Sequence, residues 1–220
     1  PWSGGSRLRW MRSRRCRRQY TLSGAAVITS PVRLEITGSP LKAITAEIDT
    51  PTLVMTYWNP VIAYGLHRFA ENLAASGGAG LITPDLIPDE GASWISAADA
   101  RGLDHVFLAA PSSTDERLAQ SISASRGFVY AVSTMGITGA RAGVDGAAKA
   151  LVARLRAQGA EHVGVGLGIS SGEQVREILS YADGAIVGSA LVKALMDGGL
   201  PALAEKTQEL ASGKPSHGGN

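Results

Sequence analysis

The sequence has a single cysteine, Cys16, among its 220 residues. One thiol can form neither an intrachain disulfide nor a cluster of thiolate metal ligands, and this usage suits a reducing compartment such as the cytoplasm. No stretch reaches the roughly eighteen consecutive apolar residues of a membrane helix, so no membrane span is expected. His67, His105, His162 and His217 lack metal-ligand spacing, and we assign no metal.

Acidic residues are absent from positions 1–18, where seven arginines crowd together. The net charge of +2 therefore belongs to this segment, and the acidic remainder gives no reason to expect nucleic acid. No apolar core of a secretory signal follows. We expect residues 1–40 to be an Arg-rich disordered or non-native segment, the alternatives being a transit peptide, an arm for nucleic acid or acidic lipid, and out-of-frame translation.

From position 51 onward, short apolar runs alternate with segments of helical length. The runs are continuous and rich in β-branched residues, as expected of parallel strands covered on both faces. They predict strands at 52–56, 80–83, 105–109, 128–132, 162–165 and 184–187. Helices are predicted at 41–48, 61–76, 88–101, 113–125, 144–158, 171–181, 190–197 and 200–211. A further strand region is expected within 25–36, and residues 213–220 read as a disordered tail.

This alternation predicts an α/β fold, either a doubly wound sheet or a closed barrel. No G-x-G-x-x-G motif follows the first clear strand, which argues against a dinucleotide-binding sheet. Late strands that end in glycine loops favour the (β/α)8 TIM barrel. Only six units are visible where eight are needed, so we expect an incomplete barrel over residues 41–212.

Two glycine loops follow consecutive strands and lead into helices. The first, 164–170, contains Gly168, and the second, 187–190, contains Gly188 and Ser189. Glycine lets the backbone approach an anion, and free N–H groups at a helix start point toward it. We therefore predict a phosphate site here. The alternative is a pair of tight turns that need glycine only for their conformation.

A third loop, 135–143, follows the strand that carries Tyr130 and has the small residues of a mobile lid. Thr138 and Gly139 within it are candidates for hydrogen bonds to a substrate. Asp85 lies just past another strand end. A substrate contact, an orienting contact to a catalytic loop and a helix N-cap are all open for Asp85.

At these residues the chain resembles the tryptophan synthase alpha chain family, in its actinobacterial form. The resemblance covers about 51–211. It is carried by PTLVMTYWNP (51–60), GLITPDLIPDE (80–90), FLAAPSSTDERL (107–118), RGFVYAVSTMGITGAR (126–141), VGVGLGISSGEQV (163–175) and YADGAIVGSALV (181–192). In that family's terms, the visible strands are the third to the eighth, and the first two βα units are missing or scrambled.

The resemblance implies a lyase that cleaves indole-3-glycerol phosphate to indole and glyceraldehyde 3-phosphate in tryptophan biosynthesis. The alpha chain itself would use no cofactor, because pyridoxal phosphate belongs to the beta-chain partner in an alpha2beta2 assembly. The substrate phosphate would be bound by Gly139, Gly168, Gly188 and Ser189. Tyr57 would line the indole pocket, Tyr130 would lie beside the catalytic acids, and Thr138 would close the lid. Asn59 and Pro60 would face the beta chain.

The family's catalytic glutamate and aspartate are not found in this sequence. They belong to a motif of the form E-x-G-x-P-Y/F-S-D-P-x-x-D-G-P, which occurs nowhere in the 220 residues. We assign no catalytic residue and expect impaired turnover. Two alternatives stay open: a non-catalytic partner of the beta chain, and another phosphate-binding barrel enzyme.

Overall fold

The computed structural model describes residues 26–29, 40–132, 141–166 and 168–213. Strands and helices alternate along these ranges, which confirms the predicted α/β class. The first half contains β1 Ala26–Thr29, α1 Pro40–Glu47, β2 Thr52–Met55, α2 Trp58–Tyr64, α3 Leu66–Ala75, β3 Gly80–Ile82, α4 Ala92–Asp99 and β4 Asp104–Val106. The second half contains β5 Leu108–Ala109, α5 Asp115–Ala124, β6 Val129–Val132, α6 Arg141–Ala157, β7 Val163–Gly166, α7 Gly172–Leu179, β8 Gly184–Ala185 and α8 Ser189–Ser212.

These elements belong to two compact units. The first unit combines Pro1–Leu108 with Gln120–Val129, and the second combines Ala109–Ala119 with Tyr130–Asn220. Across the described ranges, no helix is long and apolar enough to cross a bilayer.

The first sheet has the strand order β1-β2-β3-β4, and all of its pairings are parallel. Strand β1 falls within the region 25–36 where the sequence predicts a strand, and Ala26 is in register with Thr52. Because of this pairing, residues before Pro51 contribute a strand to the fold.

Gly80 in β3 lies close to the next strand. A Cβ atom there would come within 2.8 Å of the Asp104 carbonyl carbon, so this position requires glycine.

The second sheet has the order β5-β6-β7-β8. Strand β7 pairs in parallel with β8, with Gly164 opposite Gly184 and Val165 opposite Ala185. All four residues of β7 are buried, whereas both residues of β8 are only half-buried. Strand β8 is thus the more exposed member of the pair.

Several predicted elements are interrupted in the structure. The helix predicted at 61–76 is two helices, because Gly65 adopts a φ of 97° between α2 and α3. The strand predicted at 105–109 is divided between β4 and β5. At the break, the Phe107 N–H donates to Ser125 Oγ at 3.1 Å instead of to a neighbouring strand. Helix α8 spans two predicted helices and leaves helical geometry at Gly198 and Gly199.

An aromatic cluster centres the core of the first unit. The Trp94 ring lies edge-on to Phe69, with 6.1 Å between centroids, and to Trp58 at 6.5 Å. Trp94, Phe69 and Leu73 are almost completely buried. Trp58, the first residue of α2, is thereby packed against this core.

A polar cluster joins the end of α4 to the end of α5 in the same unit. Arg126 donates to Asp99 Oδ1 at 2.6 Å and to Asp104 Oδ1 at 3.0 Å. His105 Nδ1 lies 2.5 Å from the Ala124 carbonyl oxygen, to which the neutral ring donates, and Nε2 lies 3.4 Å from Asp99 Oδ1. Burial, assisted by the Arg126 charge, lowers the pKa of His105 below its ordinary value.

His105 should make the fold less stable in mild acid. Since its folded-state pKa is lowered, the unfolded chain takes up a proton near pH 6.5 while the folded chain does not, and stability falls as the pH drops below that value. We expect the urea midpoint to fall between pH 7.5 and 5.5, and to fall less in His105→Asn, whose amide can still donate to Ala124. An equal pH dependence in both proteins would contradict this prediction.

Candidate phosphate and substrate site

Gly168 and Gly188 extend two neighbouring parallel strands by the same distance. Each lies three residues beyond the registered pair Val165 and Ala185, and the Ile186 N–H continues the ladder by donating to the Val165 carbonyl at 2.8 Å. Adjacent strands run about 4.8 Å apart. The two glycine loops singled out from the sequence therefore leave the same edge of the sheet side by side.

The start of α8 is open. Gly188 is the N-cap, no side chain caps the helix there, and a Cβ atom at Gly188 would meet nothing within 4 Å. Gly188 and Ser189 are exposed, and the Gly188 carbonyl accepts from Leu191 at 3.0 Å. The first N–H groups of a helix have no acceptor within the helix and carry its positive dipole end. This terminus has the geometry of an anion site.

The start of α7 differs, because its own side chains satisfy it. Ser171 Oγ accepts from the Gln174 N–H at 3.3 Å, and Gln174 Oε1 accepts from the N–H groups of Ser170 and Ser171 at 2.8 and 3.2 Å. Sequence reasoning missed this capping box of Ser171 and Gln174. The signal was there, since S-x-x-Q is a capping-box pattern. On this loop the remaining element of the predicted site is Gly168, which has a φ of 65°.

The Tyr130 side chain lies across the end of β7. A Cβ atom at Gly166 would come within 2.6 Å of Tyr130 Cε2 and 2.8 Å of Cζ, so Gly166 makes room for the ring. Tyr130 is half-buried, and burial raises its pKa. The neutral phenol of Tyr130 thus packs against Gly166, which precedes Gly168 by two residues in the sequence. Thr138 and Gly139 lie outside the described residues.

The Asp85 carboxylate contacts the start of α2 in the first unit, one residue from Tyr57. Both Asp85 carboxylate oxygens accept from the Trp58 N–H, at 2.8 and 3.0 Å. Asp85 therefore caps a helix that begins 27 positions earlier, while Tyr57, the N-cap residue, makes no side-chain cap bond. The Tyr57 side chain is 65% exposed.

Arg154 is an ordering residue that sequence reasoning missed. From α6 its guanidinium donates to the carbonyls of Pro111 and Ser113 at 3.1 and 2.7 Å, and to Asp115 Oδ1 at 2.7 Å. It thereby fixes the loop between β5 and α5. Its partners are about forty positions away, so no local pattern in the sequence announces them.

The histidine, cysteine and carboxylate side chains of the described ranges form no group of three or more placed to hold a metal ion. The candidate site around Gly188 consists of backbone N–H groups at the start of α8 and the Ser189 hydroxyl, and the Tyr130 phenol lies at the end of β7. Such groups bind and orient an oxyanion. The fold defines an α/β protein with parallel sheets, and its candidate ligand site lies at the carboxyl edge of one of them.

Comparison with known proteins gives the family. The profile of the tryptophan synthase alpha chain matches residues 28–216. A Leifsonia xyli tryptophan synthase alpha chain is 64% identical over 173 residues, covering 79% of this chain and 66% of the relative. One from Mycobacterium avium is 57% identical over 188 residues, covering 86% and 69%. The chain belongs to the tryptophan synthase alpha chain family.

Solved structures agree. A structure of tryptophan synthase from Mycobacterium tuberculosis has a TM-score of 0.76 at 55% identity, covering 83% of this chain and 69% of that one. A mutant alpha-subunit from Pyrococcus furiosus has a TM-score of 0.68 at 35% identity, covering 77% and 70%. The chain spans 66% of the length of the Leifsonia relative and 60% of that from Mycobacterium ulcerans.

Replacing Asp85 should distinguish a capping role from a substrate contact. Asp85→Ala removes both acceptors of the Trp58 N–H, and loss of an N-terminal cap costs about 1 kcal/mol of unfolding free energy. Asp85→Asn retains one amide oxygen and should keep most of that stability. Urea denaturation of the two variants measures the difference, and an Asp85→Ala protein as stable as the original would exclude the cap as the main role.

Proposed function

We propose that this chain binds the phosphate of indole-3-glycerol phosphate and descends from a lyase that releases indole and glyceraldehyde 3-phosphate from it. The observation that carries the proposal is the open N-terminus of α8, where Gly188 gives the helix no side-chain cap and no atom of the described residues fills the space beside it. A phosphate monoester there gains hydrogen bonds from unpaired N–H groups and a favourable dipole interaction.

The remaining binding roles follow from this placement. The phosphate ligands of the proposal are Gly139, Gly168, Gly188 and Ser189. Tyr130, held against β7 as a neutral phenol, contacts the substrate beyond the phosphate, and Thr138 closes over it. Tyr57 contacts the indole, and Asp85 contacts the substrate from the loop after β3, where its carboxylate also caps α2.

Phosphate binding can be tested with a matched pair of glycine variants. A carboxylate introduced by Gly188→Asp repels a phosphate and accepts hydrogen bonds from the first N–H groups of α8. Gly146→Asp is the control, because Gly146 is also exposed and also has open space around its Cβ position. We expect Gly188→Asp to abolish glycerol 3-phosphate binding in calorimetry, and Gly146→Asp to bind as the original does. Equal binding by both variants would overturn the site.

In this proposal the α/β fold is an incomplete (β/α)8 TIM barrel over residues 41–212. With β4 and β5 counted as one interrupted strand, the described residues hold seven strands, whereas the closed barrel needs eight.

The 220 residues lack the acid–base motif that the proposed cleavage requires. Cleavage of the bond at C3 of the indole needs a group that protonates C3 and groups that move protons at the ring nitrogen and the glycerol hydroxyl. The family motif that supplies a glutamate and an aspartate is missing from the 220 residues. A positioned general acid or base contributes about 10²–10⁴-fold each. Binding without efficient cleavage is the expected result.

Turnover can be measured directly as indole released from indole-3-glycerol phosphate. We expect the purified chain to be more than about 10²-fold slower than the Leifsonia xyli relative, because at least one acid–base group is missing. The Leifsonia enzyme assayed at the same concentration is the positive control. Activity within about tenfold of it would mean that other residues perform the proton transfers.

A second candidate function is that of a non-catalytic partner of the beta chain. Tyr57, Asn59 and Pro60 favour it, because all three are exposed at the start of α2. The Asp85 carboxylate holds this helix start in place through its hydrogen bonds with the Trp58 N–H. In either case we propose a cytoplasmic alpha2beta2 assembly in which pyridoxal phosphate belongs to the beta chain. Tyr57→Ala should weaken beta-chain binding in sedimentation experiments. Beta-chain binding without indole release would favour the non-catalytic role, and failure to bind would exclude it.

A further inference from the structure

The loop that carries Gly168 is held by side chains from two helices. On the α7 side, Gln174 Oε1 accepts from the Ser170 N–H at 2.8 Å and from the Ser170 hydroxyl at 3.2 Å. On the α8 side, Lys206 Nζ donates to the Ser170 carbonyl oxygen at 3.2 Å. Both polar groups of the Ser170 backbone therefore have a side-chain partner. Ile169, which lies between Ser170 and Gly168, is buried and anchors the loop to the core.

A second contact, on its own helix, directs the Lys206 side chain toward this loop. The Lys206 ammonium also donates to the Glu209 carboxylate, three residues further along α8. The hydrogen bond from Lys206, and to a smaller extent one from the Gly172 N–H, lowers the pKa of Glu209. Because Gly172 is the first residue of α7, Glu209 contacts both the lysine and the helix that follows the loop.

The parts of α7 and α8 that carry these contacts lie very close together. At Gly172, a Cβ atom would come within 2.5 Å of the Glu209 carbonyl oxygen. At Gly213, a Cβ atom would come within 2.8 Å of the Gly172 carbonyl carbon. Close-packed backbones leave little room for the end of α8 to move relative to the start of α7. The Lys206 side chain therefore extends from a support that is fixed relative to the loop.

We propose that Lys206 is a positioning residue for anion binding, because its hydrogen bond to the Ser170 carbonyl holds the loop in the conformation in which Gly168 contributes to the phosphate site. This inference rests on the proposed function. A loop that is ordered before the ligand arrives loses less conformational entropy on binding. Lys206 acts through the Ser170 backbone, to which it donates, and not by contact with the phosphate.

Simple attraction between the Lys206 charge and a phosphate predicts a different dependence on salt. Glu209 already pairs with that charge. Attraction between exposed charges is screened by salt, since the Debye length falls from about 10 Å at 0.1 M ionic strength to about 3 Å at 1 M. A hydrogen bond that orders the loop is much less sensitive to ionic strength. The salt dependence of a Lys206 variant therefore separates positioning from attraction.

The test measures glycerol 3-phosphate binding to the full chain by calorimetry. Lys206→Met removes the donor to Ser170, and we expect it to raise the Kd about three- to tenfold, as the loss of one hydrogen bond does. Lys206→Arg keeps donors at this position and should bind within about twofold of the original. Lys149→Met is the matched control, because Lys149 is exposed on α6 and its loss changes the net charge equally.

Two further measurements show how Lys206 acts. The ratio of the Lys206→Met Kd to the original Kd should be the same at about 0.1 and about 0.5 M salt. Hydrogen exchange over residues 168–172 should be faster in Lys206→Met than in Lys149→Met, because the loop has lost a restraint. Faster exchange without a change in Kd would mean that Lys206 orders the loop without serving the ligand, which overturns the inference.

The remaining outcomes separate this inference from the proposed function. Equal Kd values for Lys206→Met and Lys149→Met would overturn the inference and leave the phosphate site intact. So would a loss of affinity that disappears at high salt, or one that Lys206→Arg shares. If the original chain does not bind glycerol 3-phosphate, or if Gly188→Asp and Gly146→Asp bind it equally, the proposed phosphate site itself is overturned and the role of Lys206 with it.

Discussion

The parallel pairing of β7 with β8 fixes the geometry of the candidate site. Because Val165 stands opposite Ala185, the two strands end level with each other and their loops leave the sheet together. A slip of one residue would turn every side chain of a strand to the other face. Strand β7 is buried on both faces, so such a slip has a large energetic penalty. The position of the candidate site is thus set by the core as much as by the loops.

The two helices that start at this edge have different roles because their first residues differ. Helix α7 begins with Ser171 and Gln174, which use their side chains to satisfy the local N–H groups. Helix α8 begins with Gly188, which has no side chain to do so. The first arrangement stabilises the helix in the absence of any ligand. The second leaves hydrogen-bonding capacity for a ligand, at some cost to the stability of the empty protein.

Much of the fold could be predicted from the sequence, because apolar runs and glycine loops report directly on buried strands and on turns. The ends of β2, β3 and β7 lie within a residue or so of the prediction. The break at Phe107 could not be predicted, since it depends on a hydrogen bond to Ser125 in another element. The same holds for Asp85 and Arg154, whose partners are distant in sequence. The glycine pattern of the candidate site could be recognised in the sequence. The difference between the loops of Gly168 and Gly188 could not, because it depends on how the helix that follows each loop is capped.

The hydrogen bonds between the Trp58 N–H and the Asp85 carboxylate connect the start of α2 with the loop after β3, two segments that are far apart in sequence. The start of α2 cannot shift without either carrying the loop after β3 with it or breaking both hydrogen bonds. A change in the position of Trp58 is therefore transmitted to the loop after β3 through the Asp85 carboxylate.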